Sequence, residues 1–239
     1  MNLSKRLLWI ADKIQNETII DVGTDHGYIP IYLLKKNIIK HAVASDINEG
    51  PLKKARINAS IEGVSDRIDF KLGSGLEVLE DDEPECALIA GMGANLIRDI
   101  LENNISKVKK LKTIILQPAQ NPEVLREHLY NNCYEILDED ICFDENKYYE
   151  LFVVRYGKRN GVKLEDIFYE ISPFLLKNHK EIMKEYLDKK ILHNKKIISY
   201  IKDDTISAQE RKVLLEKKNE IISDILNNLK KDDNNDGMC

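Results

Sequence analysis

Short apolar runs alternate with helix-like stretches through the first two thirds of the chain. The runs are rich in Ile, Val and Leu, which is typical of strands buried on both faces of a parallel sheet. They occupy residues 18–22, 41–47, 67–72, 86–90 and 113–116. Helical patterns separate them at 28–36, 51–60, 95–103 and 122–131. This alternation predicts a doubly wound α/β domain.

A different pattern follows the last of these helices. Residues 134–143 and 147–156 both read as strands, and only residues 144–146 separate them. So short a connection joins antiparallel strands in a hairpin. By fold-level analogy, a parallel sheet that ends in an antiparallel hairpin matches the class I methyltransferase sheet rather than a dehydrogenase sheet. We therefore expect an α/β, Rossmann-like sheet of the class I S-adenosylmethionine-dependent methyltransferase type.

The remainder of the chain is helical in pattern. Residues 157–161 are typical of a linker, so we expect one domain at 1–159 and a second at 160–239. In the second domain, polar residues 202–205 separate two apolar stripes, and Ser207 with Glu210 forms a capping-box pattern. The expected structure is a C-terminal helical hairpin or short coiled coil. The stripes are Met183, Leu187, Ile191, Ile197, Ile198 and Ile201, followed by Leu214, Ile221, Ile222, Ile225 and Leu229.

The composition is that of a globular protein, with 43% hydrophobic and 32% charged residues in a chain of 239. No apolar run approaches the roughly 20 residues that a membrane-spanning helix needs, so we expect no membrane span. The four cysteines are scattered without a C-x-x-C pair. This spacing argues against a disulfide framework or a zinc site. We expect a cytoplasmic protein without a bound metal.

Positive charge is concentrated in one segment of a chain whose net charge is −5. Residues 177–202 carry eight lysines against three acidic residues. Such a segment is either a solvated helix face or a surface that binds nucleic acid, and the pattern favours neither. The candidate RNA-binding residues in it are Lys189, Lys190, Lys195 and Lys196.

The most informative segment is residues 19–30, where an apolar run ends in Asp21 and a glycine turn leads into a helix. A dinucleotide-binding loop has the pattern G-x-G-x-x-G, with bare amides facing a pyrophosphate. Here only Gly23 and Gly27 are present, and Asp25 stands where a diphosphate would lie. Two like charges about 4 Å apart repel by roughly 4 kcal/mol at an effective dielectric near 20. The loop therefore favours S-adenosylmethionine, which carries a sulfonium and an ammonium, over NAD.

Other loops follow the predicted strands and belong to the same expected cleft. Asp46 closes the second strand where nucleoside-binding folds place a ribose-binding acid, and a helix cap is its alternative role. Residues 73–75 follow the third strand, where glycines allow a close approach to adenine. Residues 91–93 follow the fourth strand, where the two glycines beside Met92 indicate close passage of a ligand or base, and the alternative is that Met92 fills the core. Gln117 closes the fifth strand as a candidate contact to a base. The candidate cofactor-binding residues are Asp21, Gly23, Thr24, Asp46, Ile47, Gly73, Ser74, Gly75, Gly91, Met92 and Gly93.

Five motifs follow one another along the chain: Asp21-Val-Gly-Thr-Asp-His-Gly-Tyr-Ile-Pro30, Ser45-Asp-Ile-Asn-Glu-Gly-Pro51, Gly73-Ser-Gly-Leu-Glu-Val78, Ala90-Gly-Met-Gly93 and Ile115-Leu-Gln-Pro118. In this order they resemble the bacterial TrmK family of tRNA (adenine-N1)-methyltransferases, which act on adenosine 22 of tRNA. The resemblance extends over nearly the whole chain, including the helical domain. Two positions depart from the family's common pattern, because Ser74 replaces an Asp and Ala94 replaces a Gly. A neutral acceptor at Ser74 would weaken its hydrogen bond to the cofactor by roughly half without changing the reaction class.

The resemblance implies methyl transfer from S-adenosylmethionine to N1 of adenosine 22. Asp25 is the first catalytic candidate, either as a fixed negative charge near the adenine or as the acceptor of an N6 proton. His26 either contacts phosphate, shapes the loop or makes a structural hydrogen bond. Tyr28 either stacks on the extruded base or is a structural tyrosine of the core or the rim. Lys5 and Arg6, beside the cleft, are candidate contacts to tRNA phosphates.

Two other interpretations stay open. The first is a methyltransferase-fold protein that binds RNA or a partner without catalysis, which Ser74 and Ala94 favour. The second is a small-molecule or protein methyltransferase, which would have no use for the lysine-rich segment. On the favoured interpretation the partner is tRNA, and the protein is a monomer or weak dimer.

Overall fold

The computed structural model describes residues 2–80, 84–157, 161–202 and 205–236, the side chains of 232–236 excepted. The chain divides into two compact units, Met1–Glu170 and Ile171–Cys239. The predicted domain boundary between residues 159 and 160 lies outside the described residues, as do the centres of the predicted linker and of the predicted break at 202–205. That boundary stays a prediction.

The first unit is built on a mixed sheet. Its strands, within the described residues, are β1 (Thr18–Val22), β2 (His41–Asp46), β3 (Ile68–Leu72), β4 (Cys86–Gly93), β5 (Thr113–Gln120), β6 (Tyr134–Asp144) and β7 (Lys147–Tyr156). Their order is β3-β2-β1-β4-β5-β7-β6. The first five strands pair in parallel, and β7 pairs antiparallel with both β5 and β6. The predicted fold class is confirmed.

The predicted strands differ from the observed ones only near their ends. β4 and β5 continue beyond the predicted ends at residues 90 and 116, because register shifts around Met92 keep them paired as far as Gly93 and Gln120. The hairpin turns at Glu145 and Asn146, which have φ values of 47° and 62°. Two successive residues with positive φ form the tight turn that suits the twist of an antiparallel pair.

Helices cover both faces of the sheet. They are α1 (Lys5–Ala11), α2 (Tyr28–Lys35), α3 (Glu49–Ile61), α4 (Ala94–Asn103), α5 (Ile105–Val108), α6 (Pro122–Asn131) and α7 (Asp166–Glu170). Ile19 belongs to a buried cluster with residues of α1 and α2, whereas its neighbour Ile20 belongs to a cluster with α4 and α6. Successive strand side chains point to opposite faces, so the apolar runs fill two cores, as expected.

A buried charged cluster ties α6 to the β6–β7 hairpin. Arg126 donates hydrogen bonds to Glu139 at 2.9 and 3.0 Å and also donates to Glu150. Its Nη1 donates to the backbone oxygen of Tyr169 in α7 at 2.7 Å. Burial disfavours the charge on Arg126, but the two glutamates outweigh it and raise the pKa of the guanidinium. The cluster therefore fixes two helices against the hairpin.

The second unit contains α8 (Pro173–Asn178), α9 (Lys180–Tyr200) and α10 (Ile206–Asp236). Asn194 Nδ2 donates to Asn219 Oδ1 at 2.9 Å, and Asp188 lies 3.7 Å from Lys230. Asn194 follows Asp188 along α9, whereas its partner Asn219 precedes Lys230 along α10. The two helices are therefore antiparallel. The predicted C-terminal helical hairpin is confirmed.

The second predicted stripe is wrong in part. Leu214 and Ile221 are exposed, and the buried residues of α10 include Asn219, Ile222 and Leu226. An apolar pattern alone misses this register, since a polar asparagine occupies one of the core positions. The first predicted stripe is buried at residues 183, 187 and 191.

The start of α10 also differs from the prediction. The hydroxyl of Thr205 accepts a hydrogen bond from the backbone nitrogen of Ala208 at 3.3 Å. Thr205 is therefore the capping residue, and Ser207 lies inside the helix. Ser and Thr are both good caps, so residue type alone does not distinguish Thr205 from Ser207.

The described cysteines Cys86, Cys133 and Cys142 are free thiols, and Cys239 lies outside the described residues. None of the helices in the described part of the chain has the length and hydrophobicity needed to cross a bilayer. Across the same residues, no group of three or more His, Cys, Asp or Glu side chains is placed to hold a metal ion.

Candidate active site

The carboxyl ends of β1 and β4 border a cavity of about 380 Å³. In doubly wound sheets, ligands bind in the crevice beside such strand ends. Its wall comes from α1, from the loop after β1 and from the end of β4. The lining residues are Arg6, Leu7, Asp21, Gly23, Thr24, Asp25, His26, Tyr28, Ile29, Ala90 and Gly91. Most of the residues predicted from the first glycine turn therefore come together here.

Asp21 supplies a buried carboxylate to this wall. The residue is 7% exposed, and its Oδ2 accepts a hydrogen bond of 2.6 Å from the Thr24 hydroxyl. Burial raises the pKa of Asp21 to about 6; the charge of Asp46 acts in the same direction, and the Thr24 hydrogen bond opposes it. A cation entering the cavity would favour the ionised form of this group.

The loop after β1 passes directly against the carboxyl end of β4. Gly23 has a φ of 70°, and a Cβ on this residue would lie 2.2 Å from Met92 Cε. The backbone conformation therefore favours glycine, and a larger residue would also displace the end of the flexible Met92 side chain. Met92 is half-buried against the core beneath the sheet ends. Its predicted contact with the cofactor stays a prediction, as does that of Gly93.

The three catalytic candidates lie together on the cavity wall. Asp25 has a φ of 49°, a left-handed conformation that aspartate tolerates better than most residues. Its side chain is 66% exposed and lies 3.6 Å from His26 Nε2. The rings of His26 and Tyr28 stack at 4.9 Å with an interplanar angle of 7°. Tyr28 is 39% exposed, which excludes a buried core tyrosine but agrees with the alternative of a rim tyrosine, so its stacking on the base stays a prediction.

Asp46 organises the turn between β2 and α3. Its Oδ1 accepts a hydrogen bond of 2.8 Å from the backbone nitrogen of Asn48, immediately before the helix begins. Asn48 is the N-cap of α3 and no side chain caps that helix, so the alternative role of Asp46 as a helix cap is wrong. The neighbouring Ile47 is 69% exposed, so it offers an apolar surface beside this carboxylate. The predicted ribose contact stays a prediction.

Close packing within the chain also explains why residues 73 and 75 are glycines. A Cβ on Gly73 would lie 2.5 Å from Val78, and one on Gly75 would lie 3.0 Å from Ile100. Both glycines thus allow the turn to pack closely against neighbouring side chains of this chain, whether or not adenine binds beside it. Ser74 is exposed between them, where the predicted hydrogen bond to adenine stays a prediction.

Arg6 enters the cavity from α1 on a fixed support. Its Nη1 donates a hydrogen bond of 2.6 Å to Gln117 Oε1, and its backbone nitrogen donates one of 3.0 Å to Asp144. Gln117 is completely buried, and its Nε2 donates to the Pro118 oxygen at 2.6 Å. The side-chain amide of Gln117 is therefore not exposed to make the contact with a base that the sequence predicts. In this structure Gln117 positions Arg6.

The β6–β7 hairpin adds residues that the sequence analysis missed. The guanidinium carbon of Arg6 lies 5.2 Å from the centre of the Tyr149 ring, and Lys147 Nζ lies 5.0 Å from the same centre. Lys5 Nζ donates to the Phe143 oxygen at 2.7 Å. Lys5 and Phe143 are 138 positions apart, so no local pattern reveals this contact.

The four predicted lysines of α9 do not share one face. Lys189 and Lys196 are exposed and lie seven residues apart, on the same side as Tyr200. Lys190 Nζ lies 5.5 Å from the centre of the Tyr186 ring. Lys195 lines a groove with three acidic residues of α10: Glu216, Glu220 and Asp224.

The comparisons with known proteins agree with these motifs. A family model described as "TrmK: tRNA (adenine(22)-N(1))-methyltransferase" matches residues 19–228. The chain belongs to the TrmK family. The tRNA (adenine(22)-N(1))-methyltransferase of Bacillus subtilis (strain 168) is 32% identical to it over 221 residues, which cover 90% of this chain and 92% of the relative. The family resemblance seen in the sequence is confirmed.

Solved structures of TrmK relatives share the fold over almost the whole chain. The Streptococcus pneumoniae protein Sp1610, in complex with S-adenosyl-L-methionine, is 31% identical, with a TM-score of 0.82 and coverage of 94% of this chain and 100% of that one. The M. capricolum TrmK, in complex with S-adenosyl-homocysteine, is 30% identical, with a TM-score of 0.78 and coverage of 94% and 99%.

Proposed function

We propose that this chain transfers the methyl group of S-adenosylmethionine to N1 of adenosine 22 in tRNA. The observation that carries the proposal is the placement of Asp21, Gly23 and Asp25 on one cavity at the carboxyl end of β1. Membership of the TrmK family points to the substrate. The complexes of the S. pneumoniae and M. capricolum proteins point to the cofactor.

The charges on the cavity wall suit this cofactor. S-adenosylmethionine, when bound, supplies an electrophilic methyl group on a sulfonium, beside an ammonium and a carboxylate. The carboxylates of Asp21 and Asp25 attract positive groups. Asp46 and Ile47 would hold the nucleoside end. A pyrophosphate would meet two acids on the same wall, so a dinucleotide suits it poorly.

Alignment is the main task of the protein in this reaction. Adenine N1 has a lone pair and carries no proton in the neutral base, so the attack needs no general base. Reacting atoms must be held about 3–3.5 Å apart. The stacked rings of His26 and Tyr28 offer a flat surface on which an extruded adenine can rest. Asp25 faces the positive charge that develops on the base, either as a fixed charge or as the acceptor of an N6 proton.

Basic side chains hold the body of the tRNA in this proposal. Lys5 and Arg6 are neighbours on α1, and Arg6 lines the cavity. The lysine-rich helix α9 provides further phosphate contacts. The substrate is a cytoplasmic RNA, so we place the enzyme in the cytoplasm, as a monomer or weak dimer. The α9 candidates are Lys189, Lys190, Lys195 and Lys196.

The decisive experiment is mass spectrometry of nucleosides from unmodified tRNA incubated with the enzyme and S-adenosylmethionine. We expect 1-methyladenosine in tRNA that has adenosine at position 22, and none in a control tRNA with guanosine there. Methylation of the control tRNA, or of another atom, would contradict the proposed position. Binding of cofactor and tRNA without any methyl transfer would instead favour a methyltransferase-fold protein that binds RNA without catalysis.

A further inference from the structure

Helix α10 carries an apolar stripe that the helical hairpin leaves uncovered. Ile206, Val213, Leu214 and Ile221 are 80%, 47%, 59% and 45% exposed. At 3.6 residues per turn they lie on roughly the opposite side of the helix from the buried Ile222 and its companions. Packing against α9 therefore does not account for this stripe.

Charged residues complete the stripe in a symmetrical order. Glu210 and Lys217 lie on the same side of the helix, and both are exposed. Counted from the Val213–Leu214 bond toward either end of the helix, the stripe has first an apolar residue, then a charged residue and then an isoleucine. The two charged residues have opposite signs. The complete order is Ile206, Glu210, Val213, Leu214, Lys217 and Ile221.

We propose that this stripe binds a second copy of the chain, with the two α10 helices antiparallel about a two-fold axis near the Val213–Leu214 bond. In this arrangement Glu210 faces Lys217 of the second copy, twice, and Ile206 faces Ile221 of the second copy. A parallel pair would place Glu210 against Glu210 and Lys217 against Lys217, which is repulsive. A two-fold interface uses the same patch on both subunits, and this patch is self-complementary only in the antiparallel sense.

The chemistry of the stripe favours a second copy over tRNA. Its two charges cancel, whereas a surface for RNA phosphates carries an excess of Lys and Arg. One helix face over about four turns is smaller than the roughly 1,200 Å² of total buried surface at which stable interfaces begin. The dimer should therefore form only at high protein concentration.

Sedimentation velocity on the full-length protein, over a wide concentration range, tests the proposal. The wild type should show a reversible monomer–dimer equilibrium, and Glu210→Lys or Lys217→Glu should each weaken it by about tenfold or more. The double swap, Glu210→Lys with Lys217→Glu, should restore it. Glu216→Lys is the matched control, because Glu216 is exposed on the same helix but lies off the stripe.

Circular dichroism of each variant establishes that α10 remains helical. A wild type that is monomeric throughout the range would overturn the proposal, as would single reversals without effect or a double swap that fails to restore association. The readout is the mass of the particle, so the result is independent of whether the chain methylates tRNA.

Discussion

Arg6 and Gln117 form a hydrogen bond of 2.6 Å between a guanidinium that lines the cavity and a completely buried amide. Gln117 therefore acts through Arg6, and removing either residue should have a similar effect. Hydrogen bonds to charged groups contribute about 1.5–3 kcal/mol, which corresponds to a loss of about tenfold or more. We expect Arg6→Ala and Gln117→Leu each to lower kcat/KM for tRNA by about that factor.

The double variant distinguishes positioning from an independent role. If Gln117 acts through Arg6, Arg6→Ala with Gln117→Leu should be no worse than Arg6→Ala alone. Gln117→Glu keeps the acceptor oxygen for Arg6 but loses the donor to the Pro118 oxygen, so it should retain more activity than Gln117→Leu but less than the wild type. Losses that multiply in the double variant would show that Gln117 has a separate function.

The raised pKa of Asp21 predicts a pH dependence of cofactor affinity. The pKa of Asp21 is about 6 in the folded protein against an ordinary value of 3.8, so folding favours the protonated carboxyl. Asp21 therefore lowers the stability of the fold increasingly as the pH rises from about 4 to about 6. A cationic ligand prefers the ionised form. We therefore expect the affinity for S-adenosylmethionine to fall by up to about tenfold for each pH unit below about 6.

Calorimetric titrations with the cofactor across this pH range provide the measurement. Asp21→Asn should bind more weakly at neutral pH and lose the dependence. His26→Gln removes the imidazole on the same wall and should leave the dependence in place. An affinity that does not change with pH in the wild type would remove Asp21 from the cofactor site.

Gly23 and Gly63 form a matched pair for testing the close contact with Met92. Both have a φ of 70°, but a Cβ at 63 would meet nothing within 4 Å, whereas one at 23 would lie 2.2 Å from Met92 Cε. Gly63→Ala should cost only the backbone strain, about 1–2 kcal/mol. Gly23→Ala should cost slightly more in urea unfolding and also weaken cofactor binding, because the end of the Met92 side chain must move.

A second substitution checks this explanation. Met92→Ala in the Gly23→Ala background removes the clashing atoms and should recover part of the lost cofactor affinity. If Gly23→Ala and Gly63→Ala have equal effects on stability and leave binding unchanged, the contact with Met92 is not important.

The buried cluster around Arg126 predicts an asymmetry between two arginines. Arg126→Met leaves Glu139 and Glu150 buried without their cation, which typically costs about 3–5 kcal/mol. The ion pair of Arg155 with Glu135 is exposed, so Arg155→Met should cost about 1 kcal/mol or less. Urea unfolding of both variants measures the difference, and equal losses would contradict it.

The sequence predicted the parts of this protein that depend on local pattern. The pattern predicts β1 at its observed bounds because an apolar run is followed directly by a glycine turn. It also predicts that the residues of that turn share one cleft, since the carboxyl ends of neighbouring parallel strands meet at one edge. The pairing of Arg6 with Gln117 escaped prediction because it joins positions 111 apart. The burial of Asn219 escaped it because a polar residue gives no apolar signal.

The arrangement of lysines on α9 predicts which of them contact tRNA. Lys189 and Lys196 share an exposed face with Tyr200, whereas Lys195 lies beside acidic residues and Lys190 beside an aromatic ring. We expect Lys189→Glu with Lys196→Glu to weaken tRNA binding by about tenfold at low salt and to reduce the salt dependence of the affinity.

Lys190→Glu with Lys195→Glu changes the net charge equally and should have a clearly smaller effect. Filter binding at several salt concentrations distinguishes the two pairs. Equal losses would indicate that only net charge matters, and no loss in either pair would leave α9 as a solvated helix face.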